Sequence, residues 1–372
     1  MSIKKIAKEA GVSTATVSRV LNNPGYKCSS EELRERIWKI ARELNYMPNE
    51  AARNLKKGIT NTSQKVWYLD VLMTRTGNLE TDPFFSELLR VIESEIHRQG
   101  CILMHIFHQP LFSNDRKYRT ENIDKIIVQM EPDGDIHSDG LIIIGKCNDN
   151  VLKKLSAKYR SIVSVNRNST NYLVDEVICD GKRIAAMAVE YLIGLGHRKI
   201  GYVGDCHNES RYKGYQDTLF QYGIDMDISF VIEVEHTEAE GYAVMERLIQ
   251  RGDAPTAIYC ANDMIAIGML KCLNKYKNRY YVPSIISSDD IEEAQYTRPM
   301  LTTVCLPKEE MGKFALYLLI DRLSGGHKGI VRTELEGKLM IRESCTLVEN
   351  ANRMEYYLSL IHISEPTRPR LI

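Results

Sequence analysis

From Lys65 onward the chain alternates short apolar runs with amphipathic stretches, and few folds accommodate that pattern. Strand-like runs occupy 66–72, 101–107, 140–144, 161–165, 199–203, 230–234, 256–260, 284–287 and 301–305. Helical periodicity fills the intervals, most clearly at 84–99, 181–195, 238–250, 263–274 and 308–323. Runs that are apolar throughout are buried on both faces, and a helix between successive strands is the crossover that parallel pairing requires. The number of runs predicts two doubly wound parallel-sheet subdomains. Such sheets bind ligands beyond the carboxyl ends of their strands, so the cleft between subdomains is where chemistry is expected.

Residues 1–60 break the alternation and read as short helices. Ile3, Ile6, Ala7 and Ala10 recur at helical spacing until Gly11 stops them. Ser13 is placed to cap a second helix over 14–22, with Val17, Val20 and Leu21 inward and Asn23-Pro24-Gly25 as its end. Ser29 with Glu32 reads as a capping box for a third helix, whose stripe is Leu33, Ile37, Ile40, Ala41 and Leu44. Pro48 and Asn49 precede a fourth short segment over 50–56.

The charge distribution is equally uneven. Lys plus Arg and Asp plus Glu both number 49, yet residues 1–60 hold twelve basic side chains against six acidic ones. A head with a surplus of six positive charges on a body with the matching deficit suggests a polyanion partner at one end only. Helix, tight turn and capped helix is the order of a helix-turn-helix, whose second helix enters the major groove. A plain helical bundle has the same periodicity, but Thr14, Ala15, Thr16, Ser18, Arg19 and Asn22 are small or hydrogen-bonding, as close approach to a duplex requires. The expected base contacts are Thr14, Ala15 on a thymine methyl and Arg19 bidentate on guanine. Ser13, Thr16, Ser18 and Asn22 are the expected phosphate contacts.

IKKIAKEAGVSTATVSRVLNN, followed by ELNYMPNEAARNLKKG, resembles the head and hinge of the lactose and galactose repressor (LacI/GalR) family of bacterial transcription regulators. The resemblance continues to about residue 348 through TDPFF at 81–85, YLIGLGHRKIGYVG at 191–204, SRYKGY at 210–215, AIYCANDMIAIG at 257–268 and RPMLTTVCLPKEEMG at 298–312. It implies an α/β chain: an N-terminal helix-turn-helix three-helix head plus hinge, then a periplasmic-binding-protein-like body of two doubly wound parallel-sheet subdomains. The head is expected at 1–48, the hinge helix at 49–58, a linker at 59–64 and the body at 65–348. Within the body, one subdomain is expected over about 65–172 and 306–327, the other over about 173–305 and 328–348. By family position Leu55 is the residue that wedges into a central base step; ordinary helix packing is the alternative. The family resemblance further implies a homodimer on a pseudo-palindromic operator in double-stranded DNA, acting as a repressor under a small-molecule effector, a carbohydrate, in the inter-lobe cleft. A cytosolic sugar-sensing regulator governed mainly by a phosphorylated carrier protein is the alternative.

Effector contacts are expected from the loops that follow strands. Phe84 and Phe85 open a helix, where a ring packs in the core or stacks on a sugar face. Arg211 offers a fork of donors able to grip two oxygens, or a salt bridge. Asn262 is expected to face the ligand and Asp263 to cap the next helix. Asp289, and Asn166 with Arg167, complete the ring. The chain departs from the family where Ser287 and Ser288 replace the usual Gly and aromatic before that acid, and where KVWYLDVLMTR replaces an apolar Ile-Gly-Val-Val run. From Leu358 the sequence no longer follows the pattern; 358–372 reads as a non-native tail, expected to be disordered.

The nine cysteines are scattered without a CxxC pair, as small core thiols in a reducing compartment would be. MSIKKIAKEAG lacks an apolar signal core and no stretch approaches about 18 apolar residues, so a cytoplasmic chain without a membrane partner is expected. GxGxxG, P-loop, GxSxG and HExxH motifs are absent, and His105 with His108 is the nearest histidine pair, so neither an enzyme nor a cofactor or metal site is expected.

Overall fold

The computed structural model describes residues 3–14, 16, 17, 20, 30–43, 66–75, 82–113, 126, 127, 130, 137–166, 173–207, 209–276 and 281–349. Ala15, Ser18, Arg19, Asn22, Leu55 and Arg167 lie outside them, as do the expected hinge, linker and tail. The chain divides into two compact units, Met1–Val66 and Trp67–Ile372.

In the first unit, α1 (Ile3–Ala10) and α2 (Glu31–Glu43) pack around a middle helix to which Thr14, Thr16, Val17 and Val20 belong. Their shared core is Ile6, Ala7, Ala10, Val17, Val20, Ile37 and Ile40, the stripe that the 3.6-residue period singles out. Gly11 makes the turn at φ 69°, a left-handed conformation that costs a residue without Cβ nothing. Ser30 Oγ accepts from Leu33 N at 3.2 Å at the start of α2, and Ser29, expected to cap it, lies outside the described residues. Arg36 Nη2 donates to Ala10 O at 3.1 Å and ties α2 to the end of α1.

Among the described residues, the second unit holds two six-stranded sheets. The strands in chain order are β1 (Tyr68–Met73), β2 (Ile102–His108), β3 (Gly140–Ile144), β4 (Ser161–Asn166), β5 (Asp175–Ile178), β6 (Ile200–Gly204), β7 (Val231–Glu233), β8 (Ala257–Cys260), β9 (Ser284–Asp289), β10 (Thr302–Cys305), β11 (Arg332–Glu334) and β12 (Lys338–Met340). The helices are α3 (Pro83–Arg98), α4 (Asp149–Lys158), α5 (Gly181–Gly194), α6 (Ser210–Gln221), α7 (Glu238–Ile249), α8 (Asp263–Tyr276) and α9 (Lys308–Ser324). The first sheet runs β2-β1-β3-β4-β5-β11 and the second β7-β6-β8-β9-β10-β12. All pairs are parallel except β10 with β12. Strand order reverses beside β1 and beside β6, and these switch points open the crevices where doubly wound sheets take ligands.

Alternation within a strand sorts side chains between two helical layers. In β3, Ile142 and Ile144 join Leu88, Ile92, Leu316 and Leu319 of α3 and α9. Leu141 and Ile143 join Val151, Leu152 and Leu155 of α4 on the other face. The second sheet is covered by the pairs α5 with α6 and α7 with α8. The latter pair meets at two glycines: a Cβ on Gly241 would stand 2.0 Å from Ile265 O, and one on Gly268 2.0 Å from Glu238 O.

The expected subdomain limits shift. β5 lies past the boundary anticipated at 172/173 yet completes the first sheet beside β4, and β11 joins it there, whereas β12 joins the second sheet. Asp175 and Glu176 hid β5 in the hydropathy pattern. Asp175 is fully buried because Arg322, His327 Nε2 at 2.9 Å and Val331 N at 2.8 Å all donate to it. The chain thus passes between lobes at 179–180, 306–307 and 335–337.

Candidate functional site

In the head, Ser13 Oγ accepts from Thr16 N at 3.1 Å and lies 2.9 Å from Thr16 Oγ1, so the cap and the exposed Thr14 stand at the start of the middle helix. Unpaired N–H groups and hydroxyls gathered at a helix start are suited to phosphate oxygens.

In the body, the loop after β6 turns into α6 through Glu209, whose carboxylate caps the helix by accepting from Arg211 N at 3.2 Å. The same carboxylate accepts from Arg211 Nε at 2.9 Å and Nη2 at 3.1 Å, while Nη1 donates to Ala261 O. Arg211 is 1% exposed, so its partner is an internal carboxylate and not a surface one. Burial works against its charge, but Glu209 and then Asp289 hold its pKa above the ordinary guanidinium value.

The helix cap expected of Asp263 is made by Asn262 instead. Asn262 Oδ1 accepts from Ile265 N at 3.1 Å and is the helix cap, and its Nδ2 donates to His236 O at 3.3 Å. Asp263 is fully buried and accepts from Ser287 Oγ at 2.5 Å, Thr303 Oγ1 at 2.6 Å and Ile291 N at 2.8 Å. Burial, and after it the nearby Asp289 charge, push the Asp263 pKa up to about 7. Ser287, where the resemblance led one to expect glycine, is therefore an anchor for this carboxylate, and Ser288 Oγ lies 2.9 Å from Tyr259 OH.

Asp289 ends β9 at φ 119°, followed by Asp290 at φ 51°. Lys308, at the start of α9, donates to both carbonyls, at 3.2 and 2.9 Å, and meets Glu87 of α3 at 2.7 Å. Its ammonium also stands 5.8 Å from the Phe84 ring centre. Phe84 and Phe85 are both in the core, edge to face with centroids 5.1 Å apart. The structure thus gathers Phe84, Asp289, Arg211 and Asn262 where the lobes meet, and places Asn166 buried at the carboxyl end of β4. Glu209 and Lys308 were not singled out from the sequence. Glu209 stood in the polar loop beside Arg211, but only the capped turn brings the pair together, and Lys308 carries no local signal of its partners. Among the described residues, no helix is long and apolar enough to cross a membrane.

A helix-turn-helix head on a two-lobed, periplasmic-binding-protein-like body defines a class of DNA-binding regulators. Residues 2–49 match the family model of bacterial regulatory proteins of the lacI family, and 189–345 match a periplasmic binding protein-like domain. The chain is 31% identical over 357 residues to the HTH-type transcriptional repressor MelR of Bacillus subtilis, covering 92% of this chain and 97% of MelR. It is 30% identical to the ribose operon repressor of Haemophilus influenzae, over 92% and 98% of the two chains. Among solved structures it resembles a transcriptional regulator CelR–cellobiose complex, with TM-score 0.63, 23% identity and coverage of 93% and 100%. It also resembles the Lac repressor dimer bound to operator and the anti-inducer ONPF, with TM-score 0.61, 21% identity and coverage of 93% and 99%. The chain belongs to the LacI family of bacterial transcription regulators and is not an enzyme.

Proposed function

We propose that this protein is a cytoplasmic repressor that binds a pseudo-palindromic operator as a homodimer and changes its operator affinity when a polyhydroxylated small molecule, a sugar, enters the inter-lobe cleft. The observation that carries the DNA-binding half is the folded head, with a middle helix that Ser13 caps beside the exposed Thr14, on a segment bearing six surplus positive charges. The Glu209–Arg211 pair supports a neutral effector, because an arginine already neutralised by a largely covered carboxylate offers directional donors without net charge. Asp289 beside it supplies acceptors for hydroxyls.

Gel-shift titration on promoter fragments tests the reading. Affinity should fall steeply with salt as phosphate-bound counterions are released. A sugar that alters operator affinity about 100-fold corresponds to about 2.7 kcal/mol of coupling. Binding that is indifferent to salt and to DNA sequence would overturn it.

A further inference from the structure

Beyond the effector cleft, the carboxyl ends of β6 and β7 bring together donors that the DNA-binding function does not use. The parallel register sets Gly204 opposite Glu233, so the residues just past Gly204 stand beside that carboxylate. His207 Nδ1 lies 2.5 Å from Glu233 Oε1, and Asp205 Oδ1 accepts from His207 N at 2.6 Å. One ligand atom each from Asp205, His207 and Glu233 falls within 4.8 Å of the other two. Oxygen and nitrogen ligands held about 2.0–2.2 Å from one ion stand at most about 4.4 Å apart, so a small rotation of half-exposed side chains closes the set.

One further donor frames it. The His236 ring accepts from Asp205 N at 3.4 Å. Imidazole among carboxylates makes a mixed nitrogen and oxygen environment, suited to borderline transition metals; magnesium and calcium take oxygen-only cages.

We infer that Asp205, His207 and Glu233 form a site for a divalent first-row transition ion, zinc above all, on the rim of the second lobe. The ion takes the position of the hydrogen shared by His207 and Glu233.

Isothermal titration of the chelator-treated full-length protein with zinc chloride tests the site. One zinc per chain is expected, undiminished by excess magnesium. His207→Ala and Glu233→Ala should each weaken it by at least about 100-fold, the upper end of what even a second-layer partner is worth. His97→Ala, on exposed α3 surface, should leave it unchanged. His207 and Glu233 side chains are 55% and 51% exposed, so both variants should unfold like the parent in EDTA, and that melt is the control. Absence of stoichiometric zinc binding, or equal binding by His207→Ala, overturns the assignment.

Discussion

Lys308 holds Asp289 by its backbone: the ammonium donates to the Asp289 carbonyl at 3.2 Å while that residue sits at φ 119°, outside the region an L side chain prefers. Residues in such conformations cost on the order of 1–3 kcal/mol each, and the surrounding structure must impose them. Asp289→Gly should therefore raise thermal stability or leave it intact while abolishing effector response, since the carboxylate is lost with the strain. Differential scanning fluorimetry beside an effector-dependent gel shift reads both. A destabilised variant with normal response would refute the role given to this carboxylate.

Removing Arg211 alone takes its guanidinium partner from the largely covered Glu209 carboxylate, a change that costs about 3 kcal/mol, the lower end for a buried pair. Arg211→Ala is expected to lose that much in urea unfolding and to lose effector response. Replacing both residues, Glu209→Gln with Arg211→Met, should recover most of the stability and none of the response. Recovery of both would show that the pair is structural only.

Asp263 carries a pH signature. Its folded pKa is pushed up to about 7, so between its unfolded value and that point the folded protein holds a proton that the unfolded chain has released. The contribution to stability is complete below the unfolded pKa and is lost as pH rises through about 7. Asp263→Asn keeps the neutral form at every pH: its amide oxygen can accept from Ile291 N and its NH2 can donate to Ser287 and Thr303. Urea melts at a series of pH values between acid and neutral should show a flatter dependence for Asp263→Asn than for the parent. Parallel curves would exclude a raised pKa.

The contact between α7 and α8 admits no side chain at Gly241, where a Cβ would collide with Ile265 O. Gly241→Ala should cost about 3 kcal/mol, the upper part of the range for overpacking. Gly194→Ala, at the open end of α5 with nothing within 4 Å, should gain up to about 1 kcal/mol from helix propensity. Chemical denaturation of the two variants should move in opposite directions.

How much of this was legible before the coordinates depended on range along the chain. The alternation of runs located nine strands, because burial on both faces leaves an apolar signature within each segment. It missed β5, where Asp175 is buried by partners as distant in sequence as Arg322 and His327 and Glu176 is buried beside it, and it missed the short edge strands β11 and β12. The loops after β6, β8 and β9 lie beyond the carboxyl ends of their strands, where topology alone directs the search for a ligand. Within them, the cap falls to Asn262 and not to Asp263, because either residue type can cap a helix and only the approach of Ser287 and Thr303 from neighbouring strands decides which one turns inward. The Lys308 contacts with Glu87 and Asp289 likewise arise from three segments that no local pattern connects.

The three passages of the chain between the lobes have a practical corollary for dissecting the body. Neither lobe is a continuous stretch of polypeptide, so no single restriction fragment encodes one, and swapping a ligand-sensing half with a relative requires several junctions at once. For the same reason a protease that nicks one passage leaves the halves tethered through the other two, and the cut molecule should still migrate as one particle until it is denatured.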